Sequence, residues 1–227
     1  MALVSPNPWG IRSYVPQAIR DYFSRETKID NVVFGQAELD SKLLDLYREI
    51  KAATALDSEN ILIDNVLIHS DAYLYALRTI FRTARSHIRI FAEQLDQRML
   101  DGTPLFTDPD IIDAVLNFLA DGDAKFEILF RDKPPDNLFE THTLMSELKG
   151  KNNLYVYYSE NRIVQSCQCS FVVADDLIYN LRYRNYAIIN FKNPAYSRKL
   201  NEIFDRVREL DSTSPFSDRA LNEHRPI

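Results

Sequence analysis

The chain has 227 residues, 45% of them hydrophobic and 11% aromatic, enough for a sizeable core in one or two domains. Its formal net charge of −6 argues against general binding to nucleic acid or anionic membranes, and its five glycines leave no GxGxxG or GxxxxGKS/T phosphate loop. No apolar run approaches about 18 residues, so no membrane span is expected; the first residues lack the basic-then-apolar order of a secretory signal, which points to a cytoplasmic protein.

Residues 1–13 read as an irregular arm broken by Pro6, Pro8 and Gly10, with Trp9 docking on the domain's own core or on a partner protein. A short helix is expected from Pro16 to Arg25, a short strand from Asp30 to Phe34 and a longer helix from Gln36 to Thr54. In the last of these, Leu39, Leu43, Leu46, Tyr47 and Ile50 recur at spacings of three and four. Residues 1–57 are thus expected to be a helical N-terminal segment.

An α/β domain is expected over 58–211. Ile61–Ile63 reads as a short strand, and Ser70 caps a helix that runs to Ala84. His87–Phe91 alternates as a strand does. Asp108 and Pro109 open a helix that Gly122 closes, and Lys125–Phe130 is the next strand. Asp136 caps a helix ended by Gly150, and Leu154–Tyr158 is a further strand. The continuous apolar run Phe171–Val173 suits a strand covered on both faces. Asp175 and Asp176 then make a turn, Leu177–Leu181 a second strand, and Tyr186–Phe191 a third. Asn193 and Pro194 open a last helix with Tyr196, Leu200, Ile203, Phe204, Val207 and Leu210 on one face. Residues 212–227 are polar and contain proline, so a loose tail is expected. Helix and strand alternate three times before the strands cluster. That order predicts an α/β fold with a mixed, mostly parallel sheet flanked by helices.

Few residues carry reactive chemistry. Cys167 and Cys169 fall two apart in an expected strand, on one face but too far apart to bridge without distortion, so they read as reduced and buried. They lack the neighbours of a zinc site, and no cofactor or metal is expected. His69, His87, His142 and His224 form no metal-spaced pair and read as surface or satisfied polar groups. Charge is unevenly spread. From Phe91 to Asp123 there are eight acids against Arg98, and from Arg182 to Arg208 seven bases against Glu202 and Asp205. The bland reading is ordinary solvated charge; the sharper one is pairing with a charged partner or a second copy. Arg182, Tyr183, Arg184 and Tyr186 alternate basic and aromatic groups, a pattern able to hold a phosphate backbone and stack bases.

Over residues 70–210 the order of elements resembles one repeat of the phospholipase D-like superfamily. That family's HxKxxxxD hallmark, laid on this chain, falls on Gln168, Ser170 and Asp175, giving QxSxxxxD. Asn180–Asn185 occupies the place of the family's GSxN-like element without matching it. The resemblance implies the family's fold and a phosphate site near Gln168, Ser170 and Arg182. In the family a histidine attacks phosphorus, a second one protonates the leaving group, and lysines hold the phosphate. Gln168 has no ionisable nitrogen for either histidine task, and Ser170 brings no positive charge to an anionic transition state. Two readings follow. One is a non-catalytic binding or scaffold subunit of an intracellular assembly, joined to a protein partner or to itself. The other is a phosphodiesterase, nuclease or nucleic-acid binder that uses Arg182, Tyr183 and Arg184.

Overall fold

The computed structural model describes residues 61–63, 70–95, 104–167, 169–183 and 186–216. The arm, helices and strand expected before residue 58 lie outside the described residues. So do Gln168, Arg184, His69 and His224.

Strands β1 (Ile61–Ile63), β2 (His87–Ala92), β3 (Lys125–Phe130) and β4 (Leu154–Ser159) are followed by β5 (Cys169–Ala174), β6 (Ile178–Tyr183), β7 (Tyr186–Asn190) and β8 (Thr213–Pro215). They form one sheet in the order β1-β7-β6-β5-β2-β3-β4-β8. The helices are α1 (Ser70–Thr83), α2 (Pro109–Ala120), α3 (Leu138–Thr141), α4 (Thr143–Leu148), α5 (Arg162–Gln165) and α6 (Pro194–Arg208). Among the described residues no helix is long and apolar enough to cross a membrane.

The sheet is mixed and flanked by helices, but parallel pairing does not predominate as expected. It is confined to β2-β3 and β3-β4, and the other five ladders are antiparallel. Connection length accounts for the ladders between strands that follow one another in the chain. α2 and the α3–α4 pair are long enough to return the chain for parallel strands, whereas the turns after β5 and β6 reverse it at once.

Strand alternation divides the core in two. Ile88, Ile90, Phe126, Ile128, Val172 and Ala174 face α1, α2, α3 and α4. Phe91, Leu129, Phe171, Val173, Tyr179 and Leu181 face α6 and Val164 of α5. Each layer removes aliphatic and aromatic side chains from water, at roughly 1.5–3 kcal/mol apiece before entropy.

Three local expectations change. The helix expected from Asp136 to Lys149 breaks at His142, whose backbone is extended and whose Nδ1 faces the Met145 amide at 3.4 Å to cap α4. His142 is buried, at the junction of two short helices rather than inside one. The segment from 212 is not loose as far as it is described: β8 pairs with β4, Phe216 donates its amide to Val156 at 2.8 Å, and its ring stacks on Phe139 at 6.0 Å. Finally, Cys167 precedes β5 instead of lying in it, with its amide bonded to the Val164 carbonyl at 3.1 Å.

Candidate functional site

β5 and β6 place Ser170 directly opposite Arg182, and Val172 opposite Asn180. All four positions share the face that looks toward α1. Tyr73 and Leu77 of α1, Ile90 of β2 and Phe106 close a small pocket over Ser170, Asn180 and Arg182. The cavity is about 10 Å3, room for about one water molecule. Tyr73 and Asn180 are almost completely buried, and Asn180 Nδ2 donates to the Tyr73 hydroxyl at 2.8 Å. Burial pushes the Tyr73 phenol up, against the Arg182 charge and hydrogen bonds from Asn180 and Arg182. Asn180 Oδ1 finds no partner among the described residues, which leaves one buried acceptor beside the cavity.

The residues singled out in the sequence do not gather into one site. Ser170 and Arg182 meet in the pocket. Tyr183 follows Arg182 in an extended strand, so it points the other way and packs against the α6-side core. A single groove offering both Arg182 and Tyr183 to a nucleic acid is therefore not built by β6.

Asp175 has a different task. It occupies the turn between β5 and β6, where Asp175 and Asp176 both adopt φ 53. Its carboxylate accepts from the amides of Arg85 at 2.7 Å, Ser86 at 2.8 Å and His87 at 3.0 Å, and from the Ser86 hydroxyl at 3.0 Å. It ties the start of β2 to the hairpin and lies outside the pocket lining. Asp176 accepts from Asn201 and so holds α6 to the same turn.

A second polar cluster lies on the α6 side of the sheet. Glu127 is buried and accepts from His87 Nε2 at 2.5 Å, Arg89 Nε at 2.9 Å and Arg208 Nη1 at 2.8 Å. Asp205 takes a second guanidinium nitrogen from both Arg89 and Arg208, at 3.0 and 2.9 Å. Arg89 also lies over the Phe204 ring, 5.0 Å from its centre. Burial pushes the Glu127 carboxyl up, but hydrogen bonds from His87 and Arg89 outweigh it and hold the group at about 2. With two arginines against two carboxylates the cluster is balanced, which marks it as a clamp between sheet and helix. The signal in the sequence was a charge inside each apolar strand: Arg89 in HIRIF and Glu127 in KFEILF.

Part of the uneven charge is paired locally. Asp108 pairs with Arg78 at 2.5 Å, Asp110 with Arg82 at 3.1 Å, and Glu93 with Arg131 at 2.7 Å. In the basic stretch, Arg208 and Lys199 have carboxylate partners within 3.1 Å. The surface asymmetry is thus smaller than the sequence implies.

No protein-family model and no curated protein matches this sequence. Among solved structures, NucT from Helicobacter pylori is similar at 15% identity and a TM-score of 0.50, over 70% of this chain and 99% of NucT. The fold is phospholipase D-like. TrmBL2, an archaeal chromatin protein whose structure shows a novel mode of DNA binding, is similar at 9% identity and a TM-score of 0.46, over 86% of this chain and 68% of that one. Polyphosphate kinase from Porphyromonas gingivalis is similar at 9% identity and a TM-score of 0.40, over 78% of this chain and 27% of the kinase. Of the three, the NucT likeness is the one that shows the fold.

Proposed function

We propose that the chain is a non-catalytic phospholipase D-like module, a scaffold subunit that holds a protein partner or a second copy of itself. The observation that carries this reading is the chemistry of the pocket over Ser170. Its polar groups are a hydroxyl, an amide, a guanidinium and a phenol pushed upward by burial. None of these moves a proton near neutral pH as a general acid or base must. The described histidines serve elsewhere, His87 on Glu127 and His142 at the α4 cap.

The test is hydrolysis of a chromogenic phosphodiester and of single- and double-stranded nucleic acid by the full chain. No turnover above buffer is the expected result. Turnover that disappears in both Arg182→Ala and Asn180→Ala would overturn the reading.

Arg182 in the pocket favours one further reading, a phosphodiester binder that does not cleave. It predicts a mobility shift with single-stranded DNA or RNA at low salt that weakens as salt rises. Loss of that shift in Arg182→Ala would put nucleic acid in place of a protein as the partner.

A further inference from the structure

We propose that the pocket over Ser170 is a built site for one ordered water molecule, which donates to the Asn180 side-chain oxygen and accepts from a pocket hydroxyl. This holds whatever partner the module takes.

The two ends of the Asn180 amide are served unequally. Asn180 lies in β6 and is 1% exposed. Its Nδ2 donates to the Tyr73 hydroxyl at 2.8 Å, whereas its Oδ1 has no partner among the described residues. A carbonyl oxygen kept from solvent without a donor is destabilising, and folded proteins rarely leave one in that state. Turning the amide over does not cure this. Oδ1 would then take the Tyr73 proton, and Nδ2 would be the atom without a partner. In either orientation one amide atom needs a small polar neighbour.

Tyr73 supplies the matching half. Its oxygen accepts from Asn180 and from Arg182, which takes up both lone pairs and leaves the O–H to donate. Ser170 adds a second hydroxyl. It stands opposite Arg182 across the β5–β6 hairpin, so Asn180 is its diagonal neighbour, about 7–8 Å away between Cα atoms. One water can touch both side chains, because two hydrogen bonds in series reach about 5.6 Å. A proton to give and an acceptor to fill thus face the same space, and a water serves both.

The space fits as well. Tyr73, Ser170, Asn180 and Arg182 line one cavity of about 10 Å3, with Leu77 and Phe106 beside them. A buried water needs about that volume and roughly two to four polar partners. Held there, it joins α1, β5 and β6 through a single molecule. A group that displaces it must bring its own donor for Asn180 Oδ1 or lose affinity. A hydroxyl or an ammonium therefore suits this pocket, and a methyl does not.

Two measurements on the full chain test this. A high-resolution crystal structure should show one water about 2.5–3.0 Å from Asn180 Oδ1 and from the Tyr73 or Ser170 hydroxyl. In solution, the Asn180 Nδ2 hydrogens should give Overhauser cross-peaks at the water frequency, with the sign of a long-held water. Ser170→Val sets a methyl into the cavity and keeps Tyr73. In that variant the cross-peaks should vanish while the amide spectrum stays that of the folded chain. Cross-peaks that persist in folded Ser170→Val come from the Tyr73 hydroxyl proton and would overturn the proposal. So would density that leaves the cavity empty, or that sets a side chain within hydrogen-bond reach of Asn180 Oδ1. If Ser170→Val does not fold, the density decides alone.

Discussion

Asp175 holds a left-handed backbone and three amides of the β2 entry at the same time. Aspartate tolerates that conformation better than most residues, and its carboxylate is what the amides need. Asp175→Ala should therefore cost about 2–3 kcal/mol in denaturant unfolding, while Asp175→Asn, which keeps an oxygen and the backbone preference, should cost less than half of that. An equal loss in both would mean that charge, not hydrogen-bond geometry, does the anchoring. Glu127 offers a pH test. Its folded pKa is depressed to about 2 from 4.5, so its contribution is fully present above about pH 4.5 and is lost as pH falls toward 2. Glu127→Gln should lower stability at pH 7 by about 3 kcal/mol, since Arg89 and Arg208 lose their buried partner, and should flatten the decline between pH 4.5 and 2. Urea midpoints across that range check it. Both roles were hidden in the sequence for the same reason. Asp175 read as part of a turn and Glu127 only as one position in an expected strand, because their partners lie 88–90 and 38–81 residues away.

Elements with a strong local signal came through. α6 carries an asparagine cap that accepts from Tyr196 at 3.0 Å, a proline at its first turn, and a buried stripe of Leu200, Ile203, Phe204 and Val207. Phe204→Ala should cost about 3–5 kcal/mol through the cavity it leaves, and more at the upper end because Arg89 loses its ring. Elements whose cause is tertiary did not come through. Thr213–Pro215 has no strand pattern of its own; it forms β8 because β4 presents an edge and Phe216 fills the space beside Phe139 and Tyr158. A chain ending at Asp211 should accordingly lower the thermal midpoint by several degrees, about 2–4 °C per kcal/mol for a domain of this size, whereas one ending at Phe216 should not. Equal melting of the two would restore the loose tail. The split of the expected 136–149 helix at His142 was likewise invisible, since its apolar spacing suits one helix or two.

For the molecule as a whole, the alternation of apolar runs with capped helices disclosed the layers and the helix-flanked sheet. It could not disclose strand direction, because an apolar run reads alike from both ends. Direction came from connection length, and the antiparallel share was underestimated there. The pocket was half legible: Ser170 and Arg182 were marked by the motif frame, but Tyr73 and Asn180 join them only through packing across 107 residues of chain.

The two rims of the sheet are its shortest members. β1 and β8 have three residues each, and β8 ends in a proline that carries no amide hydrogen. Among the described residues, then, neither flank offers a neighbouring molecule a long row of backbone groups to zip onto. At these two described edges, contact with a neighbour falls to side chains rather than to a long backbone ladder.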